Sequence, residues 1–520
     1  MASSQPTVAI VGGGLAGLAA GCALAESGFR VTLFERRPYL GGRASSYEHP
    51  GTGEVVDNCQ HVLFGCCTNL LAFYRIIGIE DKIRWFDRMT FIEPGGRQSV
   101  LESTSLPPPL HVVPSLLKFK FLNLWDKLSI ARAAATLIGS LPKDEGNFQQ
   151  WLARHRQTPA AIERFWKPIL VSALSEDMDR ISVPYAAQVV RESMKSKLAR
   201  RMGIPKAPLT ELYNAARDYI SLHGGTIRLR NSVQSFLPVS RGVRLRLQDS
   251  EEEFDYGVLA VPFDSLAKLL PDSDHSQGLR DQLSHFETSS ITGVHFWFDR
   301  QITDLDHAVL LDRTIQWMFH KSKLLGRNPR ITIDSNRASA MVERQSISDE
   351  PAPKERNIVA RDLSHGCADQ ASASGMDGRT SYDKDSEDNP SYVELVISSS
   401  KSLIEKSRQE IIDLALRELR EFFPDARDAK LIKATVIKEV NATFSPTPGI
   451  DQYRPYSPSP WPRIFLAGDW TATGWPATME GAVRSGYLAA EGITKTSGTE
   501  KIFVVPDLPA EGLLVALQRP

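Results

Sequence analysis

Apolar and polar positions along the chain change from strand-like to helix-like spacing and back, which predicts alternating strands and helices. Two β-branched apolar runs at Thr7–Val11 and Val31–Glu35 predict buried strands, and the small apolar residues between them predict a helix that ends near Gly28. Toward the other end, Arg463–Asp469 predicts a strand, followed by a helix from about Met479. This order of elements is typical of α/β proteins with a parallel sheet.

The same patterns continue through the middle of the chain. Further strands are predicted at Val243–Leu247, Val258–Val261, Thr292–Asp299, Thr314–His320 and Tyr392–Ser398, and further helices at Thr68–Ile77, Ser129–Leu141 and Ser402–Phe423. Because 520 residues exceed what one hydrophobic core accommodates, we expect two interleaved domains. One would comprise residues 1–85, 220–265 and 432–496, the second residues 86–219 and 266–431, and 497–520 would form a C-terminal tail.

Residues 337–391 interrupt this pattern. Between 341 and 390 there are 11 acidic residues, 6 basic residues, 7 serines and one aromatic residue, Tyr382. Such a segment buries too little apolar surface to offset the entropy lost on ordering. We therefore predict a disordered insertion between two strands of the second domain.

A glycine-rich turn follows the first predicted strand. Gly12 permits a tight turn, Gly14 lets the backbone approach a pyrophosphate, and Gly17 lets helix and strand pack closely. The helix N-terminus offers unpaired N–H groups and about half a positive charge to phosphates. Glu35 stands 18 residues after Gly17, where an acid binds the ribose hydroxyls of an adenosine. These features predict a Rossmann-like dinucleotide-binding unit.

Composition and charge argue against several classes of protein. The net charge of −1 gives no electrostatic basis for binding nucleic acid. The five unevenly spaced cysteines do not suggest a disulfide framework, so we expect a reducing compartment and a cytoplasmic protein. No apolar stretch reaches the ~18–20 residues of a spanning helix, and the first residues lack a basic segment. We therefore expect neither a membrane span nor a signal peptide.

Four residues of metal-binding type, Cys59, His61, Cys66 and Cys67, lie within nine residues of each other. Structural zinc ligands are usually separated by two to four residues, and two adjacent cysteines cannot easily both face one ion. We therefore predict no metal site. Cys66 and Cys67 are interpreted as packing residues at the start of a helix.

Two further motifs resemble the flavoprotein family of amine oxidases, protoporphyrinogen oxidases and carotenoid desaturases. One is Leu40–Arg43 (LGGR) after the second strand, and the other is Gly468-Asp469 with the helix that follows. The resemblance implies FAD as cofactor and an α/β fold, in which a Rossmann-like FAD-binding domain is interleaved with a mixed α+β substrate domain. It also implies that Val233 contacts the adenine. The other residues implied to bind FAD, besides the glycine turn and Glu35, are Arg36, Gly42, Arg43, Gly468, Asp469, Met479, Gly481 and Ala482.

A closer resemblance is carried by Val55–Cys67 (VVDNCQHVLFGCC) and by the run GDWTATGWPATMEGAVRSG that begins at Gly468. Both resemble the hydroxysqualene dehydroxylases, also called squalene-associated FAD-dependent desaturases. This resemblance implies an enzyme of hopanoid and triterpenoid precursor synthesis, in which reduced FAD delivers hydride from N5 and hydroxysqualene loses its hydroxyl to give squalene. The chain departs from the wider family at Cys59, where many relatives have glycine, and from the dehydroxylases in its acidic insertion.

The implied reaction needs a proton donor, because hydroxide is a poor leaving group. We predict His61 as donor or orienter, since imidazole titrates near neutrality, with Asp57 supporting it from four residues earlier. A structural role for His61 is the competing interpretation. His111 and His295 are weaker candidates.

Other functions stay open on the same residues. A carotenoid desaturase of the phytoene type, or an isomerase, shares the FAD motifs and an apolar pocket, but a desaturase moves hydride from substrate to flavin. An amine oxidase would place an aromatic pair such as Trp470 and Trp475 before the flavin, yet the apolar middle of the chain suits a small amine poorly. A non-enzymatic relative, such as a prenyl-protein chaperone, is disfavoured by the intact Arg43 and Asp469.

An apolar segment at Leu106–Leu128 mixes large apolar residues with prolines and lysines. We interpret it as a tunnel wall, as a surface resting on a membrane with Lys118 and Lys120 reaching the headgroups, or as ordinary core. A water-insoluble substrate such as hydroxysqualene favours peripheral contact with the inner face of the membrane. It also favours contact with other enzymes of squalene synthesis.

Overall fold

The computed structural model describes residues 5–139, 146–326 and 390–517. Its strands, in chain order, are Thr7–Val11 (β1), Arg30–Glu35 (β2), Ser46–Glu48 (β3), Val55–Asp57 (β4), Leu63–Phe64 (β5), Ile83–Phe86 (β6), Arg88–Ile92 (β7), Gln98–Glu102 (β8), Met202–Pro205 (β9), Thr226–Leu229 (β10), Ser235–Val239 (β11), Gly242–Arg246 (β12), Glu251–Phe254 (β13), Tyr256–Leu259 (β14), Thr288–Phe298 (β15), His307–Leu310 (β16), Trp317–Phe319 (β17), Ser391–Ser398 (β18), Leu431–Phe444 (β19) and Ile464–Leu466 (β20).

The α-helices of the described residues follow in chain order. They are Leu15–Glu26 (α1), Thr68–Ile76 (α2), Val113–Leu117 (α3), Leu124–Gly139 (α4), Phe148–Arg154 (α5), Pro159–Ala161 (α6), Lys167–Leu174 (α7), Val183–Met194 (α8), Leu209–Leu222 (α9), Phe263–Leu269 (α10), Asp274–Ser284 (α11), Lys321–Leu325 (α12), Arg408–Phe422 (α13), Asp425–Asp428 (α14), Met479–Thr496 (α15) and Leu514–Leu517 (α16). None of them combines the length and the hydropathy that a membrane span requires.

A five-stranded parallel sheet has the order β10-β2-β1-β14-β20. Its strands come from the start, the middle and the end of the chain, as an interleaved domain requires. Val8 and Ile10 of β1 are fully buried against α1, α9 and α15. The carboxyl ends of parallel strands meet at one edge, which is where α/β sheets bind ligands.

A second, seven-stranded sheet has the order β19-β15-β18-β17-β16-β7-β8. Its neighbours are antiparallel except for β16 and β7, which run parallel. Helix α13 packs its apolar side on this sheet, and helices α4 to α8 enclose a separate apolar core. The backbone N–H of Tyr392 in β18 donates to Oγ of Ser322 in α12 over 2.7 Å, so these two elements lie side by side.

The structure differs from the sequence-based prediction at several boundaries. Strand β19 pairs with β15 along most of its length, so the domain boundary expected at residue 432 falls inside the second sheet. The helix expected from Ser402 begins at Arg408, because Ser407 and Glu410 form a reciprocal capping box at its start. The helix expected from Ser129 already begins at Leu124. Of the insertion predicted at 337–391, residues 337–389 lie outside the described residues, and β18 begins at 391.

Candidate active site

A cavity of about 730 Å³ opens at the carboxyl edge of the parallel sheet and extends to the second sheet. The half of its wall nearest the parallel sheet contains most of the residues predicted to bind the cofactor: Gly12, Gly14, Glu35, Arg36, Gly42, Arg43, Val233, Gly468, Asp469, Met479 and Ala482. The other half is mainly apolar, with Phe91, Leu116, Phe165, Ile169, Val309 and Val396 among its lining residues. The cavity therefore joins a polar groove to an apolar chamber.

The glycine turn between β1 and α1 leaves open space at Gly14. Gly12 adopts a φ of +113°, which turns the chain sharply after β1. A Cβ at Gly14 would meet nothing nearer than the Cα of Gly42 at 3.9 Å, whereas a Cβ at Gly17 would lie 2.0 Å from the carbonyl oxygen of Gly12. Gly17 is thus a packing residue and does not line the cavity, while Gly14 borders the space a pyrophosphate would need.

The carboxylate of Glu35 is held at the end of β2. Its Oε2 accepts from the N–H of Gly13 and its Oε1 from the N–H of Arg37, both over 2.7 Å. The side chain is buried yet lines the cavity. Because each carboxylate oxygen has a second lone pair, Glu35 can also accept from ribose hydroxyls.

Arg43 connects the loop after β2 to the loop after β20. Its guanidinium donates to Oδ1 of Asp469 over 2.5 Å and to the carbonyl of Ala442 over 2.9 Å. Asp469 is only 4% exposed, so the ion pair neutralises a buried carboxylate at the cavity wall. The sequence-predicted residues Arg43 and Asp469 therefore meet across more than 400 positions of chain.

Helix α15 begins at the cavity, and its first turn is capped by Thr478, whose Oγ1 accepts from the N–H of Gly481 over 3.1 Å. Met479 and Ala482 line the cavity. Gly481 does not, because a Cβ there would lie 2.7 Å from the carbonyl of Pro476. Gly481 thus lets the preceding loop fold onto the helix, which differs from the contact with the cofactor expected from the sequence.

Val233 lines the cavity, as Glu35 does, and is 8% exposed. Its backbone N–H donates to no other group among the described residues, and neighbouring Gln234 donates to Arg246. A backbone N–H left open at this edge suits the adenine contact that the resemblance implies.

His61 faces the cavity, and its orientation is fixed by the backbone. Its Nδ1 lies 2.8 Å from the carbonyl oxygen of Cys59, so Nδ1 carries the proton and Nε2 remains an acceptor in the neutral ring. Burial lowers the pKa of His61 below 6.5, although the Cys59 carbonyl and Asp57 oppose that shift. His61 is therefore neutral at pH 7 and presents a basic nitrogen.

Asp57, predicted to support His61, makes no hydrogen bond to it in the described part of the chain, but its carboxylate raises the pKa of the imidazole through charge. Its Oδ2 accepts from Lys321 over 2.6 Å, and its Oδ1 accepts from Ser46. Burial raises the pKa of Asp57, but the ammonium of Lys321 together with the hydrogen bonds from Ser46 and from the N–H of Leu209 holds the pKa below its ordinary value. Lys321 also donates to Oε1 of Gln60 over 2.8 Å, and Gln60 donates to the carbonyl of His61 over 3.0 Å. Asp57 is thus linked to His61 by charge and by the hydrogen bonds of Lys321 and Gln60.

Sequence reasoning missed Lys321 and Glu394, which lie 3.4 Å apart behind the cavity wall. Glu394 had a signal, since it is the single charge in the apolar run YVELVIS of a buried strand. Lys321 had no such signal, because its neighbours in the sequence are polar and a lysine among them resembles a surface residue. His295 is fully buried near Lys321 and Glu394, and His111 is buried in the apolar segment. Neither of these histidines lines the cavity.

The groups at the parallel-sheet edge fit FAD. The open space at Gly14 and the N-terminus of α1 suit a pyrophosphate, and Glu35 suits a ribose. No group of three or more metal-ligating side chains occurs in the part of the chain that the structure describes.

Comparison with known proteins agrees with this site. The family model for flavin containing amine oxidoreductases matches residues 15–340 and 367–494 of the chain, which is well over half of it. The chain belongs to this family. The cofactor of this chain is FAD.

Curated relatives align with nearly the whole of this chain. The 15-cis-phytoene desaturase of Synechococcus elongatus is 27% identical over 509 residues, which cover 94% of this chain and 95% of the relative. A probable zeta-carotene desaturase of the same species is 25% identical, with 93% and 98% covered.

Solved structures share the fold of this chain at low sequence identity. A putrescine oxidase with bound putrescine has a TM-score of 0.63 at 15% identity and covers 95% of this chain and 98% of its own. An oxidoreductase from Methanosarcina mazei has a TM-score of 0.64 at 14% identity, with 92% and 98% covered. The α/β fold expected from the sequence is confirmed by these likenesses.

Proposed function

We propose that this flavoprotein exchanges hydride between FAD and an allylic carbon of an acyclic isoprenoid. The observation that carries the proposal is the apolar half of the cavity. This half is continuous with the cofactor groove, and His61 lines the same cavity. A long hydrocarbon gains stabilisation from such a wall at roughly 25 cal/mol per Å² of buried surface. When bound, FAD supplies a centre that accepts hydride from a substrate carbon or returns it.

Desaturation is the direction that the curated relatives support better, since phytoene and zeta-carotene desaturases match 93–94% of the chain. In that reaction the substrate loses a hydride from one carbon and a proton from its neighbour, and the two carbons become doubly bonded. Neutral His61 with its proton on Nδ1 has Nε2 free to take that proton. The apolar wall keeps water away from the electron-poor carbon.

Reductive dehydroxylation of hydroxysqualene is a second candidate, and the runs Val55–Cys67 and GDWTATGWPATMEGAVRSG favour it. In that reaction the oxygen leaves as water after taking a proton, and the carbon receives a hydride. His61 would have to be protonated on both nitrogens to give that proton. The lowered pKa of His61 makes this form scarce at pH 7.

The two reactions predict opposite dependences on pH. For desaturation we expect the single-turnover rate to fall as the pH drops through the lowered pKa of His61, because the base becomes protonated. For dehydroxylation we expect the rate to rise over the same interval, because the acid becomes populated. Stopped-flow absorbance of the flavin without oxygen measures both, with oxidised enzyme and phytoene in one series and reduced enzyme and hydroxysqualene in the other. An enzyme that converts neither lipid would refute an isoprenoid substrate.

We also propose that the segment containing α3 and α4 collects the substrate from a membrane. Leu117, Leu124, Trp125 and Leu128 are 52–75% exposed, and Lys118 and Lys120 lie exposed beside them. Val112 and Leu116, from the same segment, line the cavity. An apolar surface with lysines at its rim suits the interface of an anionic bilayer.

Replacing the exposed tryptophan by alanine is expected to weaken binding to vesicles. Trp125→Ala removes a ring that is 75% exposed, so the fold loses little packing. We expect about a tenfold weaker partition onto phosphatidylglycerol vesicles, measured by sedimentation, since burying an aromatic ring contributes roughly 1.5–3 kcal/mol. Leu222→Ala, at an 82% exposed position outside this surface, is the control. Equal partition of both variants and the parent would contradict the proposal.

A further inference from the structure

Four buried side chains form a charged cluster behind the segment Asn58–His61. Asp57 lies in β4, Lys321 in α12, Glu394 in β18 and His295 in β15, and none is more than 5% exposed. The cluster holds two carboxyl groups and one ammonium, because Lys321 lies 2.6 Å from Asp57 and 3.4 Å from Glu394. It does not line the cavity, yet it lies directly behind the residues that do.

Several polar atoms of this cluster lack hydrogen-bond partners. The carboxyl of Glu394 lies near the ammonium of Lys321 and the backbone N–H of Gln60, but neither oxygen has a partner in good hydrogen-bond geometry. His295 bonds through Nδ1 to the hydroxyl of Tyr392 over 2.7 Å, but its Nε2 has no partner. Buried polar groups are almost always satisfied by protein or by ordered water.

The unpaired atoms converge on the space that Gly293 leaves. In β15, Gly293 and His295 share one face, and His295 stands opposite Glu394 in the neighbouring strand. A Cβ at Gly293 would lie 3.5 Å from Nε2 of His295, 3.6 Å from the carbonyl oxygen of Asn58 and 3.9 Å from Oε1 of Glu394. The three polar atoms therefore lie around the one position that a side chain of Gly293 would occupy.

We propose that the space beside Gly293 binds one water molecule, through which Glu394 and His295 hold the segment Asn58–His61 at the cavity wall. The protons balance in one arrangement. The hydroxyl of Tyr392 donates to Nδ1 of His295, Nε2–H donates to the water, and the water donates to Glu394 and to the carbonyl of Asn58. Glu394 and His295 are thus positioning residues, and their action on catalysis rests on the role proposed for His61.

Charge and burial fit this arrangement. Burial raises the pKa of Glu394 to about 7 against the ammonium of Lys321, and the carboxyl keeps an oxygen that accepts from the water whether or not it is protonated. Burial lowers the pKa of His295 to about 3, so the ring is neutral and needs one donor and one acceptor. Burial also raises the pKa of the Tyr392 hydroxyl, which therefore keeps the proton that it donates. On the other side, the ammonium of Lys321 donates to both Asp57 and Gln60. The water therefore binds the segment Asn58–His61 at Asn58, and Lys321 binds it at Gln60.

A pair of substitutions at Gly293 separates a water site from simple packing. Gly293→Ala places a methyl at ordinary contact distance, so it fits but displaces the water. Gly293→Ser is bulkier, yet its hydroxyl can take over the hydrogen bonds of the water. We expect hydrogen–deuterium exchange of the peptide 57–64 in the FAD-loaded enzyme to become about tenfold faster in Gly293→Ala and to stay within about twofold in Gly293→Ser. Gly278→Ala, at an exposed helical position with free space around it, should change nothing.

Three results would overturn the proposal: unchanged exchange in Gly293→Ala, a larger effect in Gly293→Ser than in Gly293→Ala, or no ordered water at this position in a high-resolution crystal structure of the holoenzyme. In turnover, the positioning role predicts a lower kcat with little change in KM for Gly293→Ala, and recovery in Gly293→Ser. Exchange and the crystal structure do not depend on the substrate. An enzyme inactive toward isoprenoids would therefore refute the proposed function and leave the water site to be decided by these measurements.

Discussion

Replacing Gly14 by valine is expected to give a folded protein that purifies without FAD. Gly14 has φ −76° and ψ 176°, a conformation that valine adopts readily, and a side chain there would enter open space in the protein. That space borders the N-terminus of α1, where the pyrophosphate is expected to bind. We expect FAD affinity to fall by at least about a hundredfold, or about 2.7 kcal/mol. The ratio of flavin absorbance to protein absorbance after purification measures it.

A matched control separates loss of FAD from loss of the fold. Gly278→Val introduces the same side chain at an exposed position of α11 where nothing lies within 4 Å. It should retain FAD, and both variants should show the parent's far-ultraviolet circular dichroism. A Gly14→Val protein with a full complement of FAD would show that the pyrophosphate lies elsewhere.

The second large effect is expected at the histidine of the cavity wall. His61→Gln removes the basic nitrogen but leaves the FAD groove untouched, so FAD content should match the parent. We expect the single-turnover rate with the converted lipid to fall by about 10²–10⁴-fold, the range typical of a lost general acid or base. The pH dependence assigned to His61 should vanish with it. The measurement is flavin absorbance in stopped flow.

His275→Gln is a suitable control, because His275 is exposed in α11 and away from the cavity. It should retain the parent's rate. A His61→Gln enzyme with the parent's rate and pH profile would make His61 a structural residue, which is the competing interpretation from the sequence.

The cofactor half of the site was predictable because its chemistry is local. The turn at Gly12 and Gly14 and the acid at Glu35 lie within one strand–helix–strand unit, where spacing alone fixes the geometry. Arg43 and Asp469 came instead from the family resemblance, each as a residue that binds FAD. Their ion pair was not predicted, since no local pattern joins them across the chain. The capping signature Ser407-x-x-Glu410 was also present in the sequence, and would have placed the start of α13 correctly.

The charged cluster was not predictable for the opposite reason. Asp57 and Lys321 are 264 positions apart, and each resembles an ordinary surface charge when considered alone. Only the pairing of β15 with β18 brings His295 opposite Glu394. Such contacts depend on strand register, which periodicity does not encode between distant segments.

The hydrogen bond between Tyr392 and Ser322 has a consequence for chain topology. Gly326 and Pro390 lie four and two positions from the two residues of that bond, so both belong to the same edge of the second sheet. The entropy of closing a loop grows by only about 0.6 kcal/mol for each doubling of its length. This edge of the sheet is therefore a tolerant graft point, where even a foreign domain with adjacent termini could be carried at little thermodynamic cost.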